Sequence, residues 1–545
     1  MHTMKKLLGL LVFFALVLAG CATAEPPPPP ERVVEQVEVE ITRVIEKEGE
    51  TVIEQVIVTV TPQPVVEPDQ ISIWNPCGSG SVADWAYDPV LAAIEQATNT
   101  DIEMIDGEWG TDQINQYIAS GELPDIIGVM GPEVMPVMTQ WIGDGVLAAY
   151  EGDVAAAAPN VLEEYDVNPT LVEMEVDGKA YFQPIGWGDG LYPNMGLIHV
   201  RKDLLDKYGM EPPDTFEDYF DFLQTCKDAG DGNGVVAGLG GGVGPVLSPF
   251  AGAYDLPMRD FVKVGDHFEY YAVQPGILDA LLLFREMETR GLIAPESWEG
   301  VDPLEAYETG EYCSQINNGG GHTGRIQNAM ALIDESMQNW LLPAPTAGAG
   351  SRGYTQEPMF WGTSQLGNME GNNPVAAARV INYLISDEGY KLTSVGIEGR
   401  DYEVVDGEIV LLEQRTKDGF PPESGNTQSH PLASCIVSWQ PEEWQDWALL
   451  YGHEQAWKDW FAQMWENQGM YQIPTYGSLM VTPTWGEFLG TSNDLMNIAF
   501  VEVVKADSEE DAAARFQQFV DEWMAAGGAE AQTEMSDALV QLYAE

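Results

Sequence analysis

Alternating strand-length and helix-length segments predict an α/β fold with parallel sheet. Ile71 to Trp74 reads as a strand, Asp84 to Ala97 as a helix, and Asp101 to Ile105 as a second strand. A helix from Thr111 to Ala119, a strand from Asp125 to Met130 and a helix from Pro132 follow. Parallel strands need crossover connections, which helices of this length supply. Size and composition agree: 545 residues allow two or three domains, and 45% hydrophobic content allows a large core. Ligands of such sheets collect at the carboxyl ends of the strands, so the loops after Trp74, Ile105 and Met130 form the expected binding face.

Lys5 and Lys6 precede a run from Leu7 to Leu18 that is apolar apart from Gly9. That run is shorter than the roughly 20 residues that span a bilayer, and it reads as the core of a signal peptide, residues 1–20. Leu18-Ala19-Gly20-Cys21 resembles the bacterial lipobox, which implies cleavage after Gly20 and lipid on the Cys21 sulfur. Residues 21–70 form a low-complexity linker. Pro26 to Pro30 stiffens its start, and Val/Ile alternates irregularly with Glu over residues 31–61, with no aromatic residue. The expected form is an extended spacer, with a short coiled coil or strand pairing between copies as the lesser reading.

Charge is lopsided, 24 Lys and Arg against 87 Asp and Glu, a net −63. A field of that sign repels phosphate backbones and excludes nucleic acid as a partner. With Cys21 lipidated, Cys77, Cys226, Cys313 and Cys435 remain. They allow up to two disulfides in an oxidising compartment, or buried free thiols, and their spacing does not decide between them. No CxxC or Cys/His cluster suggests zinc.

Short motifs then recur in an ordered series. Pro124-Asp125-Ile126-Ile127, Asp177-Gly178-Lys179-Ala180-Tyr181 and Pro184 resemble the N-terminal lobe of the solute-binding proteins of ABC importers. Val200 to Met210 and Pro212 to Glu217 resemble the start of their second lobe. Gly291-Leu292-Ile293, Ser386 to Tyr390, Gly396 to Gly399, Tyr402-Glu403 and Asp406-Gly407 extend the match to the rest of the chain from about residue 71. The closest similarity is to long, lipid-anchored members of the maltose-binding-protein-like, oligosaccharide type. The resemblance implies a two-lobed, type II periplasmic-binding-protein fold with crossover hinge strands. By motif order, lobe one is expected at residues 71–187 and 346–475 and lobe two at 188–345 and 476–545. Crossings are then expected near Gly186–Leu191, Leu341–Pro345 and Pro474–Leu479. A closing cleft desolvates its ligand and needs polar groups on both walls.

Two motifs yield on inspection. Gly319, Gly321 and Gly324 match a dinucleotide fingerprint, but no strand with an acidic end follows about 20 residues later. The loop is read instead as a close backbone approach to ligand, with His322 and Arg325 near the cleft. Asp231-Gly232-Asn233-Gly234 resembles the middle of a calcium loop that some family members carry complete. Ala229, Ala237 and Gly240 stand where oxygen ligands belong, so a plain glycine turn is favoured and no metal is expected.

Sixteen tryptophans suggest a saccharide ligand, because sugar C–H faces stack on indole while carboxylates and amides take the hydroxyls. The candidate ligand-binding residues are Trp74, Asn75, Trp187, Asp189, Tyr192, His322, Arg325, Glu357, Trp361 and Trp485. Trp444, Trp447, Trp457, Trp460 and Trp465 have helical spacing and read as packing. Arg325 and Arg400 suit either an acidic sugar or an internal ion pair. No GxSxG, HExxH or P-loop appears, so no catalytic residue and no cofactor is assigned. The reading is an extracytoplasmic, lipid-anchored monomer that captures an oligosaccharide for ABC permease subunits. The alternatives are a secreted glycoside hydrolase or lyase, and a sensory binding module.

Overall fold

The computed structural model describes residues 37–47, 50–60 and 67–543, apart from 79–81, 83, 131–134, 168, 194–195, 241, 318–322, 348–350, 413–429 and 438–454. The signal segment, Cys21, Gly319, Gly321, His322, Trp444 and Trp447 lie outside the described residues. Residues 1–67 and 68–545 are separate units. In the first, β1 (Val37–Lys47) and β2 (Glu50–Val60) pair antiparallel from Val37 opposite Val60 to Lys47 opposite Glu50. β-branched residues favour this extended backbone. The spacer segment therefore pairs within one chain, where the sequence reading had an unpaired spacer or pairing between copies.

The second unit holds two main sheets. β3 (Asp69–Asn75) lies between β4 (Thr100–Asp106) and β5 (Ile126–Met130), all parallel, with the helices Pro89–Thr98 and Asp112–Ser120 as crossovers. Each element lies within a few residues of its expected place. The Asp125 carboxylate explains part of the motif around it. It accepts the Ser72 amide at 2.8 Å, the Ser72 hydroxyl at 2.9 Å and the Asn373 amide at 2.6 Å. One side chain thus fastens β3 to the start of helix Pro374–Leu384. Ile73, Ile94, Ile126, Phe182 and Ile381 share the core of this first lobe.

β6 (Phe182–Pro193) leads out of the first sheet to β7 (Leu197–Arg201). β7 joins β8 (Val235–Ala237), β11 (Ser314–Asn317) and β12 (Asn339–Leu341) in the order β12-β7-β11-β8. β9 (Phe261–Val264) and β10 (His267–Tyr270) form a hairpin nearby. Helix Phe216–Ala229 begins at a Thr215–Asp218 capping box and buries Phe216, Phe220 and Leu223 in the second core. The C-terminal helices Pro483–Val504, Glu509–Trp523 and Ala529–Leu542 pack on the same core.

β13 (Tyr354–Leu366) links the two sheets. At one end the Tyr354 hydroxyl donates to Leu342 O at 2.9 Å; at the other, Gly362–Leu366 pair with β5. The short pair β14 (Tyr402–Val405) and β15 (Glu408–Leu411) follows, and β16 (Gln472–Ile473) returns beside Tyr354 and Thr355. Crossing at Leu341–Pro345 is not seen, because the amides of Leu342 and Thr346 bond Ile198 O and Asp214 O of the second lobe. Helix Gln455–Gly469 lies inside the span expected for lobe one, yet it packs on the second sheet. Trp460 Nε1 donates to Asn339 O at 3.2 Å and Asn467 Nδ2 to Leu341 O at 2.8 Å.

Both disulfides form: Cys77–Cys435 and Cys226–Cys313. No helix among the described residues is long and apolar enough to cross a membrane.

Candidate functional site

Two features meet where the lobes join: the carboxyl ends of β3, β4 and β5, and the paired strands β6 and β13. Tyr192 lies opposite Glu357, and Leu191 opposite Pro358. The register then breaks, so that Phe360 faces Gly186 and residues 187–190 of β6 stand against Met359 alone. Such a bulge re-aims the residues within it. Trp187 and Asp189 lie in this bulge, and Trp361 follows Phe360 at its edge. The backbone therefore brings Trp187, Asp189, Tyr192, Glu357 and Trp361 together on one crossing ribbon, although those on β6 and those on β13 stand 165 to 174 positions apart. Their side chains are not among those described.

The other expected residues are placed differently. Trp74 is 2% exposed, edge-on to Tyr117 at 5.5 Å between ring centres, and its indole covers Gly107. Asn75 is fully buried and builds the loop after β3, taking the Cys77 amide on Oδ1 at 3.1 Å and donating Nδ2 to Gly78 O at 2.9 Å. Trp485 is 5% exposed, with Phe261 and Tyr270 each at 5.0 Å. Trp74 and Trp485 thus belong to the two cores, a correction to the expected aromatic site, because each indole is enclosed by its own lobe. Arg325 pairs with Glu308 at 2.9 Å, and Arg400 with the buried Asp401 at 2.9 Å. Burial pushes the Glu308 carboxyl up, and the Arg325 charge partly offsets it. Both arginines have internal carboxylate partners. His199, read as structural, is buried with Nδ1 3.2 Å from Asn339 Oδ1.

Two aromatic residues not singled out from sequence stand open on the expected binding face. Trp109, in the loop after β4, is 70% exposed, and Tyr87 is 85% exposed. Trp85 joins their loops through Nε1 to Asp106 Oδ1 at 3.1 Å. Trp109 was within reach of sequence reasoning, since the loop after Ile105 was already named. Tyr87 carried no such signal.

The Cys77–Cys435 disulfide pins helix Pro431–Cys435 over the ends of these strands. A second fastener lies beside it, buried His430 Nε2 at 2.9 Å from Asp88 Oδ2. Burial opposes the ionised Asp88, but the His430 hydrogen bond and charge outweigh it and hold its pKa below the usual carboxylate value.

No protein-family model matches the chain. It is 26% identical over 362 residues to lipoprotein LipO of Bacillus subtilis, covering 60% of this chain and 67% of that protein. It is also 26% identical over 230 residues to the fructooligosaccharide ABC transporter substrate-binding protein FusA of Streptococcus pneumoniae, covering 38% of this chain but only 42% of FusA. The FusA structure in complex with kestose has a TM-score of 0.61 at 16% identity, covering 86% of this chain and 99% of FusA. The alginate-binding protein AlgQ2, solved without calcium ion, has a TM-score of 0.65 at 16% identity, covering 87% of this chain and 98% of AlgQ2. A FusA EF-hand mutant is a further neighbour, with a TM-score of 0.60. In sequence the chain is similar to a lipoprotein and to an ABC transporter substrate-binding protein, and its two-lobed fold is that of solved solute-binding proteins.

Proposed function

We propose that this protein captures an oligosaccharide outside the cytoplasmic membrane and delivers it to an ABC permease, with no change to the ligand. The carrying observation is the bulged β6–β13 ribbon, which gathers three aromatic and two acidic residues between the lobes. Aromatic faces suit pyranose or furanose rings, and carboxylates suit their hydroxyls. The relatives support the same reading, since FusA is described with kestose and AlgQ2 as alginate-binding. Lobe one would comprise residues 68–185 and 362–437, and lobe two 197–345, 455–470 and 483–543. Ligand binding would favour the closed arrangement of the two.

The N-terminal segment completes the proposal, with Cys21 as the lipid anchor and residues 22–67 holding the lobes away from the membrane. A thermal-shift screen of the mature chain tests the function. Fructooligosaccharides, oligouronates, peptides and amino acids serve as probes. A saccharide that raises the melting temperature in a concentration-dependent way, and is recovered intact, supports capture. Cleaved saccharide in the mixture would favour the hydrolase reading.

A further inference from the structure

The turn after helix Phe216–Ala229 has the partial sequence of a calcium loop, and calcium demands six to eight oxygen ligands. This chain lacks most of them. Ala229, Ala237 and Gly240 bring no side-chain oxygen. The main-chain oxygen of Val235, which would serve as a ligand, accepts the Ala294 amide at 2.8 Å. Gly234 O accepts the Cys313 amide at 2.9 Å. Asp228, one position out of register, accepts Gln224 Nε2 at 2.9 Å. The residues present do not fit a calcium ion.

Other groups hold the loop. Asp231 Oδ2 accepts the Lys207 ammonium at 2.6 Å and the Tyr208 hydroxyl at 2.5 Å. Lys207 and Tyr208 end the helix Lys202–Tyr208, so the contact ties that helix to the turn. The Cys226–Cys313 disulfide joins the last turn of helix Phe216–Ala229 to the residue before β11. A methyl group at Gly232 would meet Cys313 Sγ at 2.7 Å, so the glycine lets the loop close against the sulfur. Lys227 Nζ donates to Gly291 O. The ammonium of Lys207, with the Tyr208 hydroxyl, holds the Asp231 carboxyl below its usual pKa, as a bound cation would.

We infer that a covalent staple, Cys226–Cys313, and a tethered ammonium, Lys207, replace the calcium ion in this loop, so the second lobe is stable without divalent metal. The inference rests on the fold and the loop residues alone and is independent of the ligand. A lysine cannot be chelated, and a disulfide survives in the oxidising compartment expected for this chain.

The test is thermal unfolding of the full chain in excess EDTA and in millimolar calcium chloride, with calorimetric titration of calcium into the chelator-treated protein. The same midpoint in both buffers and no saturable heat are expected. A calcium-dependent rise, or stoichiometric binding, would overturn the inference. Cys313→Ser is expected to lower the midpoint equally in both buffers, and an unchanged midpoint would remove the disulfide from the account. Lys207→Met is expected to lower it by a smaller, calcium-independent amount. An unchanged midpoint there would remove the lysine. Recovery by calcium would show instead a metal site that the lysine merely blocks.

Discussion

The Tyr543 hydroxyl donates to Glu173 Oε1 at 2.5 Å, joining residues 370 positions apart. The same carboxylate accepts the amides of Gly477 at 3.1 Å and Leu479 at 3.3 Å. Glu173 sits in the turn Pro169–Met174, beside Leu171 and Met174 of the first core, whereas Tyr543 packs on the second. One buried acid therefore ties the first lobe, the segment after β16 and the C-terminal helix. Asp260, part-buried, accepts the Ser478 hydroxyl at 2.7 Å on the same segment.

That pair predicts a pH dependence. Burial pushes the Glu173 carboxyl above its ordinary 4.5, and the donors from Tyr543, Gly477 and Leu479 offset this only in part. Burial likewise raises Asp260 above 3.8, against the Arg259 charge. Between the ordinary and native values the folded state binds more protons, so these groups make stability fall as pH rises through that window. Glu173→Gln removes its share, and urea midpoints measured across pH should then slope less steeply above about pH 4.5. Identical slopes would contradict the assignment. Asp88 has the opposite sign, its contribution being lost as pH falls below 3.8 through its lowered native value.

Trp485 and the ribbon tryptophans should separate cleanly. Trp485→Ala opens a core cavity and should cost about 3–5 kcal/mol of stability while leaving the saccharide affinity of the folded protein unchanged. Trp187→Ala and Trp361→Ala should do the reverse. Denaturation and calorimetric titration of the three variants check this, and loss of affinity in Trp485→Ala with native stability would reverse the roles.

Gly107→Ala places a methyl carbon within 2.3 to 2.6 Å of the Trp74 indole. Backbone and ring must part, at about 1–3 kcal/mol. A neutral substitution, measured by urea unfolding, would show that the ring yields freely.

The Cys77–Cys435 bridge closes a separation of 358 residues. Replacing both cysteines with serine should cost about 2–5 kcal/mol. The loss should appear as earlier proteolysis around Pro431–Cys435, where the bridge and the Asp88–His430 pair hold helix to sheet.

Much of the first lobe was legible because its parallel strands and crossover helices alternate in regular lengths. Asp125 marked its own place through a short motif whose purpose, bonding Ser72 and Asn373, only the fold reveals. Disulfide pairing was not legible, since nothing in a gap of 358 positions says which sulfur lies near Cys77. Trp485 was misjudged for a similar reason. A tryptophan near a crossing suits a cleft or a core, and the choice depended on Phe261 and Tyr270, more than 200 residues earlier. Helix Gln455–Gly469 followed β13 in sequence but found its apolar partners, Leu197 and Leu341, on the other sheet.

Small-angle scattering of the mature chain, with and without the saccharide that gives the largest thermal shift, tests the closing of two lobes about the β6–β13 ribbon. The account predicts a smaller radius of gyration at saturation, with that contraction lost in Trp187→Ala. An unchanged radius at demonstrated saturation would contradict it.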